Sequence, residues 1–234
     1  MRAVYHFPES QTGDATAEAG LVERFEAHIK HKAFPCVGAK SALSRGQIQT
    51  FVAGDIRCPR DDAAIHDALC DFVQAYRDHP GPFQTFAVLF PTADTLSEAA
   101  FEQFLWQRLK GLRQTDAARG CQYDGRVSAD IGDARFSLSF GGEAFFVVGL
   151  HPGASRPARR FETPVLVFNA HDQFERLRAD GRYETLRDAI IARDVALAGS
   201  PNAMLARHGE VSEARQYSGR QISGDWTCPV SWPA

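Results

Sequence analysis

Residues 134–150 read ARFSLSFGGEAFFVVGL, and no other stretch limits the fold so tightly. Two β-rich runs flank Gly141-Gly142, a two-residue loop suited to a tight hairpin because glycine tolerates positive φ. A chain that commits to this hairpin must bury it against further strands or helices. Strands are predicted in QIQTFVAG, ending at Gly54, in FQTFAVLFP, of the fully buried kind, and in PVLVFN. Helical spacing fills the intervals. Leu21, Val22, Phe25 and Ile29 recur at three and four between Ala17 and Lys30, and Ile65, Leu69, Phe72, Val73 and Tyr76 do so across 60–77. The longest amphipathic run goes from about Ser97 to Thr115, a two-turn helix is predicted over Val37–Ser44, and DQFERLRADGRYETLRDAIIARDVAL reads as two helices broken at Gly181. Residues 1–16 are expected to be irregular, as is the tail 199–234, although Tyr217, Trp226 and Trp232 imply that the tail packs down. With no repeat or linker in 234 residues, the expectation is one α+β domain over 1–234, a mainly antiparallel sheet flanked by helices.

Charge and cysteine content remove several function classes. A net charge of -3 leaves no surplus of Lys and Arg to offset phosphate, so no nucleic-acid and no anionic-membrane partner is expected. No apolar run reaches the roughly 20 residues of a membrane helix, and no basic, apolar leader opens the chain, which places it in the cytoplasm. The five cysteines, at 36, 58, 70, 121 and 228, contain no C-x-x-C pair, so neither a disulfide scaffold nor a zinc ribbon is indicated. There is no G-x-S-x-G elbow, no phosphate loop and no H-E-x-x-H helix. In HIKH, His28 and His31 stand one turn apart without a visible third ligand and read as surface.

Four segments could carry chemistry. AFPCVGAKSALSRG, residues 33–46, sets Cys36 at a helix start, where unpaired N–H groups and the positive dipole end favour thiolate. Pro35 stiffens the approach and Gly38 removes a Cβ where backbone nears sulfur. The sulfur suits a metal ligand or nucleophile, with a packed core thiol as the plain alternative. GLHPGASRPARRF follows a buried strand with His151, Arg156, Arg159 and Arg160, which form either a site loop or a solvated face beside a turn histidine. SEARQYSGR groups Glu213, Arg215, Gln216, Tyr217 and Arg220, either a polar network around a ligand or exposed loop composition. In FNAHDQFERLR, Asn169 can cap a helix whose first turn holds His171, Asp172 and Glu175, and the acids there also fit simple capping.

Taken in order, FPCVGAKSAL, GLHPGASRPARRF, LVFNAHDQFERLR, GSPNAML, SEARQYSGR and DWTCP resemble the YqcI/YcgG family across roughly residues 33–229. The resemblance implies heme b as cofactor. Members in natural-product pathways are heme-dependent N-hydroxylases of guanidino groups, on arginine or enduracididine, which implies O2 as co-substrate and an external electron-donor protein. On that reading Cys36 is the proximal iron ligand, with His151 as rival or distal group. Gly38, Arg156, Arg159, Arg160 and Tyr217 join the cofactor contacts, the arginines facing the propionates. A guanidino or amine substrate calls for a carboxylate, Glu213 first and Glu175 second, with His171 as an assisting base. The alternatives are a heme enzyme acting on another nitrogen compound, and a heme sensor or carrier without turnover.

Overall fold

The computed structural model describes residues 12–92, 94–206 and 209–232. Its frame is a five-stranded sheet of β1 (Ile48–Val52), β2 (Thr85–Leu89), β3 (Leu138–Phe140), β4 (Glu143–Leu150) and β5 (Val165–Ala170), ordered β1-β2-β5-β4-β3. The glycine hairpin forms between β3 and β4, with Leu138 opposite Phe145 and with φ of 58° at Gly141 and 76° at Gly142. β5 pairs antiparallel with both β4 and β2, so the expected mainly antiparallel sheet is present. The exception is β1 with β2, which run parallel and are connected through α3 (Asp62–Asp78).

The other helices are α1 (Thr12–Lys30), α2 (Val37–Ser44), α4 (Glu98–Ala118), α5 (His171–Ala179), α6 (Tyr183–Ala198) and the single turn α7 (Ala214–Tyr217). Two expectations need correction. α1 begins at Thr12, so 12–16 are helical rather than irregular; an alanine-containing lead-in extends the helix past its apolar stripe, and 1–11 lie outside the described residues. Asn169 caps nothing: it lies in β5, accepting from Thr85 Oγ1 at 3.1 Å and donating to Phe146 O at 3.3 Å, while α5 starts from Ala170 without a side-chain cap.

Alternation along the strands divides the molecule into two faces. Phe86, Val88, Phe145, Val147, Leu166 and Phe168 enter one cluster with Phe72 and Val73 of α3 and Phe101, Leu105 and Trp106 of α4. Burying each phenylalanine contributes roughly 1.5–3 kcal/mol, so this face holds the fold together. Contact there is so close that a Cβ on Gly149 would lie 2.8 Å from the Phe101 ring and 2.9 Å from Leu105. The tail closes this side, with Trp232 edge-on to Trp106 at 5.4 Å and Trp226 tilted against it at 6.1 Å. The opposite face carries Ala87, Leu89, Leu150 and Val165 beneath Leu21, Phe25 and Ile29 of α1. It is less completely filled, and the space left there houses the candidate site. Among the described residues, no helix is long and apolar enough to cross a membrane.

Candidate functional site

Cys36 is the N-cap of α2, with φ −74° and ψ 99°, and its Sγ accepts a hydrogen bond from Ala39 N at 3.4 Å. Position and helix start agree with the sequence expectation; the ionisation balance does not. Burial pushes the thiol up, and it outweighs the Ala39 and Gly38 amides and the Arg159 and Lys40 charges that pull it down. Without a metal the group is a protonated thiol, because the amides of one short helix do not replace lost water. Gly38 also acts differently from expectation. A Cβ there would lie 3.3 Å from the Phe83 ring and 3.8 Å from the sulfur, so the glycine chiefly makes room for Phe83. Phe83 itself adopts φ 69°, which turns its ring toward α2 at the end of the loop before β2.

The sulfur borders a mostly apolar cavity of ≈ 1290 Å³, counting its part open to solvent. Thr85, Phe146, Val148, Val167 and Asn169 of the sheet floor it, and Phe34, Phe174, Leu186 and Ile190 help to roof it. Arg156 and Arg159 reach its wall, while Arg160 does not belong with them. Arg156 Nε donates to Asp194 Oδ2 at 2.9 Å and its Nη2 to Ser200 O at 2.9 Å. Arg159 donates to Gly149 O at 3.2 Å, Tyr217 O at 3.3 Å and Gln216 O at 3.1 Å, and burial pulls its guanidinium down to about 10. Arg160 turns back on its own exposed loop, donating to Ala154 O at 2.7 Å and Ser155 O at 2.9 Å.

His151 and Tyr217 are placed elsewhere than expected. Residue 151 follows Leu150 onto the other face of the sheet, where the imidazole, 1 % exposed, stacks on Phe101 of α4 with centroids 4.2 Å apart. Burial pulls it down to about 4, so it is a neutral core histidine that does not line the Cys36 cavity. Tyr217 is fully buried, stacked on Trp106 at 5.7 Å, its hydroxyl donating to Phe145 O at 3.4 Å. Only its backbone serves the site, as an acceptor for Arg159.

A second cavity, ≈ 860 Å³ with its part open to solvent, adjoins the first across the shared side chains Phe146, Phe174, Leu186, Ile190 and Leu205. Here the structure brings the three proposed catalytic residues together, two of them, His171 and Glu213, on the cavity wall. His171 Nε2 is 3.5 Å from Glu213 Oε1, and its Nδ1 is 3.8 Å from Glu175 Oε1, one turn along α5. Ser137 Oγ donates to Glu213 Oε2 at 3.0 Å. His171 and Glu213 are buried, whereas the Glu175 side chain is 47 % exposed and stands at the rim. Asp172, in the first turn of α5, accepts from Tyr76 Oη at 3.0 Å and pairs with Arg176 at 2.7 Å. Arg215 and Arg220 bind Ser223 O and Glu102 and so secure the tail.

Two site residues escaped the sequence reading. Asp194, the acid that holds Arg156, shares a face of α6 with Leu186 and Ile190 at a spacing of four, so an acidic residue in an apolar stripe was the available signal. Phe83 gave none, since positive φ in a phenylalanine has no sequence mark.

The YqcI/YcgG family model matches residues 25–231. The chain belongs to the YqcI/YcgG family. No curated protein and no solved structure matches it. The span shared with the YqcI/YcgG family contains Cys36, the residues lining both cavities, and Trp226 but not Trp232 of the tail over Trp106.

Proposed function

We propose that this YqcI/YcgG protein is a heme-dependent oxygenase that N-hydroxylates a guanidino group of arginine or a related amino acid, using O2 and electrons from a separate reductase. The observation that carries the reading is the pairing of cavities: an apolar space bordered by a cysteine sulfur and two arginines, beside a smaller one holding a buried carboxylate and imidazole. The residues fit a heme. The walls suit a flat apolar ring, and the sulfur borders the space at a helix start. Arg159 spends three of its five N–H groups on backbone carbonyls, which leaves donors for a propionate. Bound there, heme supplies activation of dioxygen, and thiolate ligation favours O–O cleavage.

The chain's own groups do the rest. Cys36 would hold the iron, and coordination would supply the stabilisation of thiolate that the buried site lacks. Arg156 and Arg159 set the ring's orientation through its carboxylates. Glu213 offers paired oxygens to a guanidinium, kept in place by Ser137. A guanidinium is a poor nucleophile until it loses a proton, and His171 Nε2, already facing Glu213, is positioned to accept it. The apolar wall of Phe146 and Phe174 between the spaces limits water at the reacting nitrogen. A sensor built on a thiolate–imidazole ligand pair is disfavoured, because His151 stacks on Phe101 on the far side of the sheet.

Spectral titration tests the proposal. The purified protein is expected to take up one hemin per chain, and arginine or a related guanidine is expected to shift its ferric spectrum toward high spin. A protein that takes up hemin but ignores every small guanidine would contradict the substrate assignment; one that takes up none would contradict the whole reading.

A further inference from the structure

The far side of the sheet holds a second group of reactive side chains that the proposed oxygenase does not use. His66 and Cys70 stand one turn apart on α3, Asp116 lies in the last turn of α4, and Cys121 comes just past that helix's end. One ligand atom from each of His66, Asp116 and Cys121 falls within 4.8 Å of the others. Cys70 Sγ lies 3.7 Å from both ring nitrogens of His66. The side chains of His66 and Asp116 are both 0 % exposed. Imidazole, carboxylate and thiol together form the mixed donor set that suits Zn2+, whereas calcium and magnesium take oxygen ligands.

We infer that His66, Asp116 and Cys121 form a zinc site that ties α3 to α4. Zinc binds nitrogen and oxygen at about 2.0–2.2 Å and sulfur at about 2.3 Å, so tetrahedral N and O ligands stand ~3.3 Å apart and N and S ~3.6 Å apart. His66 Nε2 and Asp116 Oδ1 are 2.8 Å apart and need open by only about half an ångström. Cys70 Sγ, 3.7 Å from both ring nitrogens of His66, lies against the imidazole rather than beyond its Nε2 and stands outside the ligand group.

One thiolate and one carboxylate balance one dication. Arg113 Nη1 is 3.5 Å from Asp116 Oδ2, and Arg119 Nη1 is 2.8 Å from His66 Nδ1 while also pairing with Asp67. Binding releases the Cys121 thiol proton to solvent. The ring proton of His66 passes to Nδ1 as Nε2 takes the metal, and Arg119 turns fully to Asp67. Asp116 is further oriented by Gly141 N, which donates to its Oδ1 at 2.8 Å and links the site to the β3–β4 turn. Three protein ligands leave the fourth tetrahedral position to a water molecule.

Zinc content and X-ray absorption on the full chain test this without reference to heme, so the zinc inference and the oxygenase reading fail separately. After incubation with equimolar zinc and desalting over a chelating resin, the expected result is one zinc per chain. Its absorption spectrum should show one sulfur neighbour at about 2.3 Å and three nitrogen or oxygen neighbours at about 2.0 Å. Cys121→Ser is expected to lower retained zinc at least tenfold, and Cys58→Ser, at an exposed thiol, to leave it unchanged. Failure of the wild-type chain to retain zinc, or a zinc shell without sulfur, overturns the inference whether or not the variants fold.

Discussion

Replacing His151 with phenylalanine separates a core histidine from an iron ligand. In the folded protein burial holds this imidazole down at about 4, against 6.5 when exposed. Between those values the unfolded chain binds a proton that the folded chain refuses. Stability from this residue is therefore complete above pH 6.5 and is lost as pH falls toward 4. The shift of about 2.5 pH units corresponds to roughly 3 kcal/mol in total, of which ~2 kcal/mol is gone by about pH 5. Phenylalanine keeps the stack on Phe101 and cannot titrate. Urea unfolding of wild type and variant at pH 7 and pH 5 reads the difference: with an m-value near 2.5 kcal/mol/M, the wild-type midpoint should drop by roughly 0.8 M more than the variant's. Hemin uptake should be the same in both. Equal pH dependence in the two proteins, or loss of heme binding in the variant, refutes the placement of His151 in the core.

The arginines of the 149–161 loop should behave unequally. Arg159→Met removes donors to three backbone carbonyls and a cavity-facing charge, and is expected to lower heme retention several-fold and cost about 2–4 kcal/mol of stability; Arg160→Ala, on the exposed loop, should change heme retention little. Equal losses in hemin titrations of the two variants would show that the loop binds heme through its total charge rather than through Arg159. Glu213→Gln keeps the acceptor for Ser137 but removes the charge, and should weaken the arginine-induced spectral shift at least tenfold, about 1.4 kcal/mol, with hemin uptake unchanged. An unaltered arginine titration would move the substrate carboxylate to another residue.

What the sequence disclosed was mostly local. The β3–β4 hairpin was legible because two adjacent glycines specify its turn, and α2 was legible because Pro35, Cys36 and Gly38 mark its start within four residues. The parallel pairing of β1 with β2 was not, since it depends on where α3 returns the chain rather than on either strand's own pattern. The face occupied by His151 could have been read from strand parity: Phe146, Val148 and Leu150 line the Cys36 cavity, so the next residue points away. The division among Arg156, Arg159 and Arg160 had no local signal, because their partners are Asp194 and the carbonyls of residues 149, 216 and 217. His171 and Glu213 could be named as candidates but not joined, since only packing of the tail against α5 brings them within 3.5 Å. The group around His66 was invisible for the same reason, with 50 residues separating His66 from Asp116.

The account turns on Cys36, and the ferrous–CO spectrum of hemin-loaded protein examines it most directly. Wild type should show the long-wavelength Soret band of a thiolate-ligated heme, and Cys36→Ser should lose that band together with most of its heme. A serine variant with full heme and the wild-type ferrous–CO band would contradict the assignment of this sulfur to iron.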